Sequence, residues 1–464
     1  MIEKCGWLLY NLYIMEKYVE NWKYYIQTFG CQMNVHESEK IAGVLKKYGI
    51  QEVSDPKEAQ VVVLNTCAIR ESAELKIESF IGNLKHSKEK GITKCVALLG
   101  CMTQQDGKAL SLKRKFPQID IILGTHNLAH FEEKFKNFIT SGKGEIEILD
   151  KRLDSDIEEI YRTSGVNAWV NISFGCNNFC SYCIVPYVRG REVSRKEEDI
   201  IRECKGLIDA GYKQITLLGQ NVNSYGNDID DPSVNFPNLL KKIDEIEGEY
   251  RLRFMTSHPK DLSDELIETI KNGKHICHSI HLPVQSGSSS VLQRMNRKYT
   301  REHYLEIVKK IKNALPDVEL TTDIIVGFVG ETEEEFEDTL SLIKEVGYQQ
   351  IFGFIYSKRK GTAAETMEGH LPVAIKKARL AKLIELEREI ASGISASYVG
   401  KKVRVLIEGT NKMFLVGSTE QNKNINITLP KGSSPEEYLG KFVTAEVTNS
   451  KLTVLYGKIT KSEE

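Results

Sequence analysis

The chain has 464 residues, 41% of them hydrophobic and 27% charged, with a formal net charge of −1. This length is too great for one ordinary core and predicts two or three soluble globular domains. The charge balance excludes a chain that is polycationic throughout, so any nucleic-acid surface must be a local patch.

The N-terminal run MIEKCGWLLYNLYIM is a poor signal peptide, because Glu3 and Asn11 interrupt its charge and apolar pattern and no small-residue cleavage site follows. No apolar run reaches the ~20 residues that cross a bilayer. Residues 1–22 are expected to be a poorly ordered extension, and the protein to be cytoplasmic with no membrane partner. Over 23–150, the runs YYIQTFGC (24–31), VVVLNTC (61–67), CVALLGC (95–101) and IDIILGT (119–125) alternate with helical stretches. That rhythm predicts an N-terminal α/β domain with one parallel sheet, whose strands end along a common edge where ligands bind.

A polar stretch at 141–165 marks a boundary, and a second βα series fills 160–395. Its candidate strands are 168–176, 214–222, 252–257, 279–286, 319–328 and 349–357. Six βα units predict a partial (βα)6 TIM-like barrel rather than a closed one of eight. Helical spacing over 373–395 places Ile375, Leu380, Leu383, Ile384 and Leu386 on an apolar face. From 397 to 462, five short alternating segments separated by Gly, Asn and Pro predict a small antiparallel β-barrel or sandwich. Lys401–Lys461 carries ten Lys/Arg against five Asp/Glu, a local basic patch.

Ten cysteines without a secretory signal point to metal or catalytic thiols rather than disulfides. Cys176, Cys180 and Cys183 form a C-x3-C-x2-C loop after the first strand of the second series. Three thiolates hold three corners of a four-iron cube and leave one iron open, which can chelate S-adenosylmethionine and pass it an electron. A structural zinc loop is the rival, but zinc prefers four ligands and no fourth follows nearby. Cys31, Cys67 and Cys101 each terminate a strand on one edge of the first sheet, which predicts a second three-cysteine cluster. Cys5, Cys95, Cys204 and Cys277 are expected to be packing residues.

TFGCQMN (28–34), NTCAIRESAE (65–74), GCMTQ (100–104), the three-cysteine loop, RGREVSR (189–195) and HLPVQSGS (281–288) resemble the methylthiotransferase family of radical S-adenosylmethionine enzymes. The resemblance covers about Tyr24 to Ile459, and TFGCQMN with TSHP (256–259) is most similar to the members that modify tRNA. It implies a methylthiotransferase domain, a radical SAM domain and a C-terminal TRAM domain that grips RNA. It also implies two 4Fe-4S clusters, on Cys176, Cys180 and Cys183 and on Cys31, Cys67 and Cys101. Two molecules of S-adenosylmethionine would serve the reaction, one methylating a cluster-borne sulfur and the other yielding the 5′-deoxyadenosyl radical. The implied substrate is tRNA, through an anticodon stem-loop with a prenylated adenosine: carbon-2 of N6-isopentenyladenosine at position 37. Threonylcarbamoyladenosine is the alternative substrate. A sulfur donor and an electron donor such as flavodoxin or ferredoxin are implied partners. A non-catalytic RNA-binding protein with iron–sulfur or zinc folding sites is the reading from a different class.

Gly219, Gln220 and Asn221 end the second strand of the series and are expected at the methionyl part of the cofactor. Gly327, Gly330 and Glu331 follow the fifth and are expected near the adenosyl group, although ordinary βα turns favour glycine too. Arg189, Arg191 and Arg195 form a basic loop expected to meet RNA phosphates, against the alternative of a solvated charged surface. Two residues depart from the family pattern: Val329 stands where Pro is usual, and Ser418 where Arg would offer a phosphate contact. His258 and His281 are expected to be hydrogen-bonded structural residues.

Overall fold

The computed structural model describes residues 17–68, 71–153, 157, 160–162, 164–411 and 413–460. The chain divides into two compact units: Met1–Thr163 with Gly175–Asn177 and Cys183–Arg191, and Ser164–Phe174 with Asn178–Tyr182 and Glu192–Glu464. Residues 1–16 of the expected extension, with Cys5, lie outside the described residues, whereas Val19 and Trp22 already pack into the core of the first unit.

The first unit contains β1 (Lys23–Thr28), α1 (Gln32–Lys47), β2 (Gln51–Glu52), β3 (Val61–Thr66), α2 (Glu71–Glu89), β4 (Cys95–Gly100), α3 (Lys108–Lys115), β5 (Ile121–Leu123), α4 (Phe131–Ser141) and β6 (Glu145–Glu147). The strands form one sheet in the order β2-β1-β3-β4-β5-β6, with every pairing parallel. β3 and β4 are buried at every residue. This is why their sequences read as unbroken apolar runs: helices cover both faces, each over its own core. Pairing of Thr28 with Asn65 and of Thr66 with Gly100 aligns the carboxyl ends of β1, β3 and β4.

In the second unit, β7 (Asn167–Asn171), β8 (Ser173–Phe174), β9 (Val193–Ser194), α6 (Glu197–Asp209), β10 (Gln214–Leu218), α7 (Phe236–Asp244), β11 (Arg251–Phe254), α8 (Asp264–Asn272), β12 (Ser279–His281), α9 (Ser289–Arg294), α10 (Arg301–Ala314), β13 (Glu319–Val326), α11 (Glu333–Val346), β14 (Gln350–Ile355) and α12 (Val373–Ala396) follow in order. The short α5 (Val185–Arg189) belongs to the first unit. β7-β10-β11 and β12-β13-β14 form two parallel half-sheets, joined by a bridge between Leu252 and Ile276. This is the open six-stranded arrangement expected.

α12 departs from its expected pattern. Ile375 is exposed, whereas Lys376 and Arg379 are buried. Lys376 Nζ donates to Tyr356 O at 3.0 Å, and Arg379 serves the Gly327–Glu331 turn.

The C-terminal strands β15 (Lys402–Asn411), β16 (Phe414–Thr419), β17 (Asn424–Thr428), β18 (Phe442–Lys451) and β19 (Val454–Ile459) close into a barrel in the order β15-β16-β17-β19-β18. Four seams are antiparallel, as expected, but β17 and β19 run parallel, because the connection over 429–441 crosses before β18. The barrel belongs to the second unit, fixed there by two buried arginines of β11. Arg251 donates to Ser418 O (2.7 Å) and Arg404 O (3.0 Å), and Arg253 to Thr419 O (2.8 Å) and Glu420 O (3.2 Å).

Candidate active site

The aligned strand ends of the first unit bring Cys31, Cys67 and Cys101 together. Cys31 caps the N-terminus of α1 with extended backbone. Gly30 and Gly100, just before Cys31 and Cys101, have φ of +111° and +100°. Both are packed so closely that a side chain has no room. A Cβ on Gly30 would lie 2.7 Å from Cys67 Cβ and 2.9 Å from its Sγ, and one on Gly100 2.5 Å from Thr66 O. Glycine therefore lets the three thiol-bearing loops approach. Asn34 fastens them, its Nδ2 donating to Phe29 O at 2.7 Å and Thr66 O at 2.9 Å, and Cys101 N donates to Thr66 O at 3.0 Å.

Cys67 and Cys101 are buried. Burial pushes the Cys101 thiol up to about 12, against the pull of the Arg189 guanidinium, and the Cys31 and Cys67 sulfurs add to the upward push. A Cys101 thiolate is thus unfavourable here unless a metal cation stabilises it, and iron would provide one. The donor set and the close approach fit an iron–sulfur cluster.

In the second triad, Gly175 has φ +71° and leads from β8 to Cys176, whose N donates to Gly190 O at 3.2 Å. Cys183 stands two residues before α5. Cys180 is buried, and Arg297 Nη1 lies 3.4 Å from its Sγ. Three further bonds grip the loop around Cys180. Ser181 N donates to Met295 O (3.0 Å), Ser181 Oγ to Arg294 O (2.8 Å) and Asn296 Nδ2 to Phe179 O (2.9 Å). The segment Arg294–Arg297 escaped the sequence reading because it carries no metal ligand. A buried arginine looks like a surface one until the fold is known.

Gly219 directly follows β10, and a Cβ there would lie 2.8 Å from Ser173 Oγ, which makes it a close-approach glycine. Gln220 adjoins it and is partly exposed. Asn221 is buried and already committed, donating to Asp261 Oδ2 at 2.7 Å and accepting from His258 N at 3.1 Å. It shapes the strand end rather than presenting a free amide. In the fifth βα turn, Gly327 and Gly330 have φ of +69° and +67°. Glu331 is 4% exposed; its Oε2 accepts from Gly327 N at 2.7 Å and Arg379 Nη1 at 2.6 Å. The Glu331 carboxylate is thus the brace of the turn, not a group turned towards a ligand. Val329 is buried against Phe328, Tyr356 and Met295.

The three arginines of the basic loop are placed differently from one another. Arg189 is buried, donating to Glu37 Oε1 at 2.8 Å and Asn34 Oδ1 at 2.7 Å. Arg195 donates to Asn171 O at 2.6 Å and Glu203 Oε2 at 2.8 Å. The Arg189 guanidinium is thereby withheld from phosphates, Arg195 is partly exposed and Arg191 is exposed. Ser418 is buried too, with Oγ donating to Glu408 Oε1 at 2.8 Å, so the departure there removes no exposed phosphate contact. Of the basic C-terminal patch, Lys423 is buried, while Lys401, Lys402, Lys431, Lys441 and Lys451 are exposed. Cys95, Cys204 and Cys277 are buried, as expected of packing residues. His258 Nδ1 accepts from Lys260 N, and His281 Nδ1 contacts Thr321 Oγ1.

Residues 170–343 match the Radical SAM superfamily, 23–124 the Uncharacterized protein family UPF0004, and 396–460 the TRAM domain. A tRNA-2-methylthio-N(6)-dimethylallyladenosine synthase of Clostridium botulinum is 48% identical over 441 residues, covering 94% of this chain and 96% of the relative. The chain belongs to the radical SAM methylthiotransferases. A synthase of the same name from Thermoanaerobacter pseudethanolicus is 46% identical over 445 residues, covering 95% of this methylthiotransferase and 93% of the relative. Among solved structures, the radical S-adenosylmethionine methyltransferase TsrM from Kitasatospora setae, with cobalamin and a [4Fe-4S] cluster bound, shares the fold. It has a TM-score of 0.53 at 14% identity, covering 71% of this chain and 73% of that one. The cobalamin-dependent radical enzyme OxsB has a TM-score of 0.50 at 11% identity, covering 80% of this chain and 56% of that one.

Proposed function

We propose that this methylthiotransferase adds a methylthio group to carbon-2 of N6-dimethylallyladenosine (N6-isopentenyladenosine), at position 37 of tRNA. The observation that carries the reading is 48% identity, over 94% of the chain, to a synthase named for that product. Cys176, Cys180 and Cys183 would hold one 4Fe-4S cluster, and Cys31, Cys67 and Cys101 the other. When bound, the clusters and S-adenosylmethionine supply the one-electron cleavage and the methylated sulfur that an unactivated C–H bond requires.

The chain's own residues position and shield. Gly219 and Gly327 let the backbone come close, and Glu331 and Arg379 brace the second of these turns. Asn34 and Arg189 tie the auxiliary thiol loops together. The target base lies in a single-stranded loop, so it can be splayed out without opening a duplex. Exposed lysines of the C-terminal barrel would carry phosphate contacts, with Arg191 the exposed candidate from the basic loop. A sulfur donor and a low-potential donor such as flavodoxin or ferredoxin complete the cycle in the cytoplasm. Among the described residues no helix is long and apolar enough to cross a membrane.

Burial of a five-carbon prenyl group contributes on the order of 2 to 4 kcal/mol if fully enclosed. This sets an expected preference of roughly thirty- to several-hundred-fold over unmodified adenosine. The test uses reconstituted enzyme on matched anticodon stem-loops carrying adenosine, isopentenyladenosine or threonylcarbamoyladenosine. Methylthiolation of the isopentenyl substrate is expected; preference for the threonylcarbamoyl substrate overturns the substrate assignment.

A further inference from the structure

The second unit buries a cation without a carboxylate. Arg297 is 8% exposed. Its Nε donates to Tyr299 Oη at 2.8 Å, its Nη2 to Pro283 O at 2.8 Å, and its Nη1 to Cys180 Sγ at 3.4 Å. No Asp or Glu among the described residues is paired with it, in contrast to Arg189 with Glu37 or Arg379 with Glu331. A guanidinium cannot shed its proton, and an uncompensated buried charge is strongly destabilising. Among the described residues that hydrogen-bond to Arg297, the Cys180 sulfur is the one that becomes an anion when it ligates iron. Its other two partners are a phenol and a carbonyl.

The surrounding geometry holds this contact in register. Asn296 and Phe179 both adopt left-handed backbone, with φ of +58° and +46°, and are joined by the bond from Asn296 Nδ2 to Phe179 O. Non-glycine residues adopt that region at a steric cost, so two together mark a segment determined by its neighbours. Ser181 is held from both sides, towards Arg294 and Met295 and, through its carbonyl, by Ala364 N at 2.7 Å. The strand-end loop is thus clamped on either side of the thiol that Arg297 touches.

We propose that Arg297 is the charge partner of the cluster held by Cys176, Cys180 and Cys183. Its Nη1 donates an N–H···S hydrogen bond to the Cys180 thiolate and offsets the negative charge that the cluster gains on one-electron reduction. Arg297 is a positioning residue for the known reaction: it makes the cluster easier to reduce and fixes Cys180 against the loop clamp. The inference rests on the reading that these cysteines hold a 4Fe-4S cluster. Hydrogen bonds to cluster sulfurs and local charge are general determinants of reduction potential.

The experiment uses the full-length chain with Cys31, Cys67 and Cys101 replaced by Ala, so that a single cluster remains. After anaerobic reconstitution the parent should hold about four irons; a parent with no cluster defeats the underlying assignment, separately from the role of Arg297. In this background Arg297→Gln and Arg297→Lys are compared by iron content and by reductive titration followed by electron paramagnetic resonance. Arg297→Gln should shift the midpoint potential to more negative values at unchanged iron content, and Arg297→Lys should shift it less. An unchanged potential in Arg297→Gln overturns the proposal. If Arg297→Gln loses its iron, Arg297→Lys decides: retention of iron upholds the need for a cation at this position, and loss of iron there too reduces Arg297 to a packing role and overturns it.

Discussion

Replacing Arg189 by Met separates two roles for the RGREVSR loop. A phosphate contact at Arg189 would contribute about 0.7 to 0.9 to the slope of log affinity against log salt, and its loss would flatten that slope accordingly. The structure points elsewhere. Arg189 and Glu37 are each 5% exposed, and the guanidinium meets the carboxylate at 2.8 Å and Asn34 Oδ1 at 2.7 Å. Met keeps much of the aliphatic bulk but strands a buried carboxylate, a loss of about 3–5 kcal/mol. The double variant Glu37→Leu with Arg189→Met removes both charges and should recover most of it, since replacing a whole buried pair by apolar groups is often neutral. Asn34 also fastens the Cys31 and Cys67 loops, so the single variant should lose auxiliary-cluster iron selectively. Urea unfolding of the full chain, iron analysis and tRNA binding across a salt series test this together. A stability loss below about 1 kcal/mol with a slope reduced by about 0.9 would refute the structural assignment and restore the phosphate role.

Burial lowers the His258 pKa from 6.5 to about 2, with the Arg297 charge contributing. A histidine whose folded pKa is depressed contributes stability above its unfolded pKa and loses it as pH falls through about 6.5, so moving from pH 7.5 to 5.5 should cost about 1.4 kcal/mol through this residue. Denaturation of the wild type and of His258→Asn at both pH values checks it, and equal pH dependence in the two proteins contradicts it. Gly30→Ala should remove about half the iron while sparing reductive cleavage of S-adenosylmethionine, because the new Cβ would fall 2.7 Å from Cys67 Cβ at a φ of +111°. Full iron content in that variant would show that the Cys67 loop can move away without consequence.

The convergence of Cys31, Cys67 and Cys101 was legible in the sequence because its signal is a phase. Cys31, Cys67 and Cys101 each follow a strand at its carboxyl end, and parallel pairing then forces them to one edge. The arginines were not legible, because a guanidinium's role is set by a partner far along the chain: Glu37 lies 152 residues before Arg189, and Cys180 lies 117 before Arg297. Periodicity placed α12 and its face through Leu380, Leu383 and Leu386, which pack on the core, but not its first turns, where Lys376 and Arg379 face inward to serve Tyr356 and Glu331 and Ile375 faces solvent. The edge strands β2 and β6, of two and three residues, are too short to leave a pattern.

The two arginines of β11 bear on how RNA is measured. A barrel joined only by a linker would raise the local concentration of its ligand without dictating where along the RNA it held on. Here Arg251 and Arg253 reach carbonyls at the end of β16 and the start of its turn, and Arg251 also reaches β15. Backbone carbonyls keep their positions whatever side chains drift across the barrel's outer face. The barrel is thereby held at a set distance from β11, so a phosphate bound on it would lie at a spacing from that half-sheet's strand ends that the protein sets, not the RNA.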